Sequence, residues 1–82
     1  MNFPTYDGTS NPLIWAHRCE HFFKNQHIAD AEKAGVAGFH LLGEAELWYY
    51  QLKRAKGPMS WEDFQKRCFQ RFVPLESNNP GG

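Results

Sequence analysis

The chain has 82 residues, with nine Lys and Arg against nine Asp and Glu, zero formal net charge and 16% aromatic residues. A domain this short folds around one core and buries only about 60% of its unfolded surface, so large rings must carry the stability. The balanced charge supplies no field for a polyanion, which argues against direct contact with nucleic acid or an anionic membrane.

The opening Phe3-Pro4-Thr5-Tyr6-Asp7-Gly8 is too punctuated for a helix, because Pro4 forces Phe3 extended and Asp7-Gly8 favours a turn. Residues 1–11 read as an extended arm with aromatic anchors. Asn11-Pro12 has the form of an N-cap followed by proline at the first helical position, so a first helix is expected from Pro12 to about Lys24. Its apolar stripe is Trp15, Cys19, Phe22 and Phe23.

Asp30 is the expected cap of a second helix, in which Ala34, Ala37, Gly38 and Leu41 form a stripe of mostly small residues. Gly35 and Gly38 each cost about 1 kcal/mol against Ala in a helix interior, which close approach of a neighbour could offset. Gly43 falls where a helix needs a left-handed terminus and is expected as the joint to a third helix over residues 44–55. There Glu44 and Glu46 suit the positive end of the helix and Lys53, Arg54 and Lys56 the negative end, with Ala45, Trp48, Tyr49 and Leu52 at helical spacing.

Ser60 with Asp63 approximates a capping box, and Met59 is placed to staple against Phe64. The fourth helix carries the stripe Trp61, Phe64, Cys68 and Phe72 and ends before Pro74. Residues 12–74 thus form the helical lobe, and residues 75–82 read as a linker or tail. The expected core is Trp15, Cys19, Phe23, Leu41, Trp48, Leu52, Trp61, Phe64, Cys68 and Phe72.

Candidate chemistry is thin. His17 and His21 have the four-residue spacing of a shared metal, but Arg18 stands where a metalloprotease motif has glutamate, and no third ligand is evident. Cys19 and Cys68 lie on apolar stripes, where a thiol behaves as a small hydrophobe, and two cysteines make no disulfide framework, which fits a reduced, cytoplasmic setting. The chain has no Gly-rich phosphate loop or catalytic triad motif, so no catalysis, cofactor or metal is expected. No apolar run approaches the roughly 18 residues that span a bilayer.

Trp48-Tyr49-Tyr50 beside Lys53, Arg54 and Lys56 imitates a single-strand-binding surface, yet Trp48 and Tyr49 continue a core stripe, leaving Tyr50 for surface contact. Phe3 and Tyr6 have no periodicity and must dock or be exposed. They either cover an apolar groove between helices or leave it open for a peptide.

Taken in order, Phe3-Pro4-Thr5-Tyr6-Asp7-Gly8, Trp15 with Glu20 and Phe23, Leu42-Gly43-Glu44-Ala45-Glu46-Leu47-Trp48, and Trp61-x-x-Phe64 ending at Phe72 resemble the Gag capsid region of Gypsy-type long-terminal-repeat retrotransposons. The resemblance covers about residues 3–74 and implies the N-terminal lobe of a retroviral-capsid-like protein, a small orthogonal four-helix bundle that packs against copies of itself. It implies self-assembly into a shell, with the isolated lobe a monomer or weak oligomer. Domesticated relatives of the Arc type imply an alternative, a host-peptide groove near the arm at Phe3, Tyr6 and Tyr50. The zinc knuckle that binds RNA in such elements has no counterpart in these residues, so RNA packaging is not assigned to this lobe.

Overall fold

Asn11 opens the first helix: its side-chain oxygen accepts from the Leu13 amide at 2.9 Å, and Pro12 forfeits no hydrogen bond at the first helical position. The computed structural model describes residues 2–73, which form four α-helices: α1 (Pro12–Gln26), α2 (Asp30–Phe39), α3 (Gly43–Lys56) and α4 (Trp61–Phe72). No strand occurs among the described residues, so the fold is all-α. Pro74 and the tail expected at 75–82 lie outside the described residues.

The helix ends depart from the local expectations in instructive ways. α1 runs past Lys24 and stops at His27, whose φ of 55° is left-handed and whose amide, with that of Ile28, returns to the Phe23 carbonyl. Ile28 packs on the core, so a tertiary contact holds the turn where glycine is the favoured residue. Asp30 is not the cap of α2: Ala29 takes that position, and the Asp30 carboxylate pairs with Lys33 at 2.8 Å one turn on. Gly43 does not end α2, which stops at Phe39; it opens α3 with φ +54° and keeps its place at the joint between them. Ser60 accepts from the Asp63 amide at 3.1 Å, but the Asp63 carboxylate turns to Arg67, also at 3.1 Å, leaving the capping box one-sided.

α4 packs against α1 and α2, and α2 packs against α3. Phe64, with no exposed surface, sits at the centre with rings of Trp15, Trp48, Tyr49 and Trp61 around it at centroid distances of 5.4–6.0 Å. Phe23 meets Trp61 edge-on at 5.0 Å, tying α1 to α4. The same pair of helices is clamped by Glu20, whose Oε2 accepts from Trp61 Nε1 and from Gln65 Nε2, each at 3.2 Å. Gly38 is the close approach in the small-residue stripe, because the Tyr49 ring lies over it; Gly35 has nothing near it and is exposed.

Trp15, Cys19, Phe23, Leu41, Trp61, Phe64 and Cys68 are buried. Trp48 and Phe72 are half-buried but pack on this cluster, with their rings 5.4 Å apart. Leu52 is the exception, half-buried and outside the core cluster. α3 lies at the bundle's edge with Ala45 as its one buried residue, so its inner stripe is covered only in part.

The arm completes the core. Tyr6 and Leu41 form an isolated parallel bridge, in which the Leu42 amide donates to the Tyr6 carbonyl at 2.8 Å and the Tyr6 amide to the His40 carbonyl at 3.3 Å. Trp15 Nε1 donates to the Pro4 carbonyl at 3.0 Å. A segment without helical periodicity is thereby bonded to both the α2–α3 joint and α1.

Candidate functional site

Phe3 is 9% exposed and Tyr6 3% exposed, so both rings fill the apolar groove between the helices. Phe3 stacks on His40 at 4.3 Å and meets Phe22 edge-on at 4.7 Å. His40 Nδ1 donates to the Val36 carbonyl at 2.9 Å, which holds the imidazole in place for this stack. Tyr6 stacks on Trp15 at 5.2 Å, and its hydroxyl donates to the Ser10 carbonyl at 2.6 Å. Phe3 and Tyr6 thus cover the apolar groove, one of the two outcomes open to the arm. Beside the arm there remains an open depression of about 410 Å³, whose lining includes Pro4, Thr5, Tyr6, Ile14, Trp15 and Arg18.

Tyr50 is 58% exposed on α3. The Arg54 guanidinium lies over its ring at 5.8 Å. One turn before it stands Leu47, also more than half exposed, and Gly43 and Arg54 continue the same outer stripe. Glu46 and Lys53 flank that stripe, both exposed, and neither has an ion-pair partner among the described residues. Glu44 reaches Arg71 at 3.6 Å across an exposed gap.

A second apolar edge runs where α1 meets α4. Leu13 and Phe69 rim a narrow cleft floored by Trp15, Phe64 and Cys68, with exposed Ile14 one residue beyond Leu13. Sequence spacing missed Leu13, Ile14, Leu47 and Phe69 because they fall between the core stripes. Their signal was that they are large, apolar and off the buried period.

The remaining chemistry is structural. His17 and His21 lie 5.5 Å apart at the edge of an open cleft of about 560 Å³ that also meets Glu20, Lys24, His27 and Lys33. No group of three or more His, Cys, Asp or Glu is placed to hold a metal ion among the described residues. Both cysteines are free and buried. Burial pushes the Cys68 thiol up to about 12 and raises Cys19 further, and it raises Tyr6 to about 12 with help from nearby Cys68 and Asp7. Groups so disposed stay neutral and pack; they are not poised nucleophiles. No helix among the described residues is long and apolar enough to cross a membrane.

Comparison with curated proteins found no match, and neither did comparison with solved structures. A scan of protein families did match, over residues 1–73, the family described as the retrotransposon-derived protein PEG10, N-terminal capsid-like domain. The match takes in the arm as well as all four helices, in keeping with an arm that is bonded into the bundle. The chain belongs to that family of retrotransposon-derived, gag-related capsid-like domains.

Proposed function

We propose that this chain is a structural lobe that works by associating with copies of itself, through weak contacts repeated in a larger assembly, and not by catalysis. The observation that carries the reading is the pairing of a capsid-like family with a distinctive surface. Leu13, Ile14, Leu47 and Tyr50 are each more than half exposed on outer helix faces, while the arm's rings are consumed in the core. Large apolar side chains left outside a small, aromatic-rich core favour contact with another protein surface. Closed repetition of such contacts builds rings and shells from identical units.

The peptide-binding alternative draws less support, because the apolar groove it needs is occupied by Phe3 and Tyr6. Sedimentation velocity of the chain over a concentration series to about 1 mM tests the proposal, a range that captures association as weak as about 4 kcal/mol. A weight-average sedimentation coefficient that rises with concentration is expected. A strictly monomeric chain throughout the series would overturn the reading.

A further inference from the structure

The outer face of α3 is complementary to itself, and we infer that two copies of this chain pair antiparallel along it. The inference rests on the proposed self-association and names the surface that performs it. α3 is the edge helix of the bundle, and only Ala45 of its residues is fully buried. Its outward stripe reads Gly43, Leu47, Tyr50 and Arg54, residues that recur at three and four positions and so share one face. Leu47 and Tyr50 are 53% and 58% exposed.

Charge decides what can cover this face. Glu46 and Lys53 are two helical turns apart, and seven residues at 3.6 per turn place them on the same flank of the stripe. A two-fold axis perpendicular to two antiparallel helices brings the same flank of each copy together with its direction reversed. Glu46 of one copy then stands beside the second copy's Lys53, and the contact occurs twice. Leu47 of each copy packs against the second copy's Tyr50. Arg54 falls opposite the second copy's Gly43, where no side chain obstructs it and Glu44 and Glu46 are near.

The helix dipole accounts for acids at the start of α3 and bases at its end. It does not account for two large apolar residues exposed between them. In a parallel pair the two-fold axis puts the flank with Glu46 and Lys53 on opposite sides of the seam in the two copies, where it meets the other flank with Glu44 and Gln51 and no base faces Glu46, so the charges select the antiparallel one. One helix pair buries less than the area of a stable dimer interface, so the contact is weak and reversible, as an assembling lobe requires.

The test exchanges charge between copies. Glu46→Lys and Lys53→Glu are both at exposed positions, so the fold, checked by circular dichroism, should persist. Each single variant places like charges together at both symmetry-related contacts and is expected to weaken self-association by about tenfold in sedimentation velocity. An equimolar mixture of the two variants restores opposite charges at both contacts, so association should return to the wild-type level, as it should in the double variant E46K/K53E. Raising the salt should weaken the wild-type contact.

Single variants that associate like the wild type, or a mixture no tighter than its components, would overturn the α3 pairing while leaving self-association through another face intact. A wild-type chain that stays monomeric would instead overturn the underlying reading, and this inference with it.

Discussion

Two glycines in one helix should respond to the same substitution with opposite signs. Ala is favoured over Gly in a helix interior by about 1 kcal/mol, and at Gly35 nothing lies within 4 Å of the position a Cβ would take. Gly35→Ala should therefore stabilise the domain by about 0.5–1 kcal/mol, raising the melting temperature by roughly 2–8 °C for a chain of this size. At Gly38 a built Cβ lies 2.5 Å from Tyr49 Cζ and 2.9 Å from Cδ2, and closer still to Cε2. The ring cannot swing away freely, because it packs against Phe64 at 5.4 Å and lies under the Lys53 ammonium at 5.9 Å. Overpacking of this kind costs about 1–3 kcal/mol, which outweighs the helical gain and leaves Gly38→Ala destabilised by about 1 kcal/mol. Thermal and urea melts followed by circular dichroism measure both. In a Tyr49→Leu background the ring is gone, and Gly38→Ala should change sign and stabilise, a coupling that a double-mutant cycle isolates. If Gly38→Ala raises the melting temperature as much as Gly35→Ala, the close approach of Tyr49 to α2 is wrong.

Other parts of the structure give further expectations. Phe3→Ala should cost about 3 kcal/mol in urea unfolding, because it empties a buried site among Phe22, Phe23 and His40; an effect under about 0.5 kcal/mol would show that the arm is not part of the core. His27→Gly should stabilise by about 1 kcal/mol by relieving the left-handed φ of 55°, as read from the same melts. Alkaline stability should follow the buried acids. Tyr6 and Cys68 are raised to about 12 from ordinary values of 10.0 and 9.0, so the folded state keeps protons that the unfolded state releases. Their contribution is full below about pH 9 and declines as the pH rises toward 12, so fluorescence-detected urea melts should weaken across that window; a midpoint unchanged to pH 12 would contradict the burial.

The parts of the fold that depend on near neighbours in sequence were legible in it. Asn11 with Pro12 and Ser60 before α4 mark helix starts because a cap needs only the next two or three amides. Trp15, Phe23, Phe64 and Cys68 repeat at the helical period, and that period selects a buried face wherever a neighbour covers it. Leu52 has the same period and escapes full burial because α3 lies at an edge, a fact no local pattern contains. Gly38 falls on the small-residue stripe and Gly35 off it, but how tightly a neighbour crosses Gly38 is set by Tyr49, which arrives from another helix.

The arm was the least legible element. Phe3 and Tyr6 announced only that rings must dock somewhere; whether they would fill the groove or leave it open turned on hydrogen bonds to Leu42 and His40, more than thirty residues away. That outcome moved the candidate site from the arm to the outer helix faces. Leu47 carries the same lesson in reverse, since falling off the core stripe was what left it available for contact.

Self-association through an outer helix face, with the arm closed, should leave a residue-specific signature. The most direct measurement is a ¹H–¹⁵N NMR dilution series, in which each backbone amide reports its own surroundings. As concentration rises to about 1 mM, shifts should grow along Glu46, Leu47, Tyr50 and Arg54 while the amides of Tyr6 and Leu42 hold still. Spectra that do not change with concentration, or changes centred on the arm, would contradict this mode of self-association.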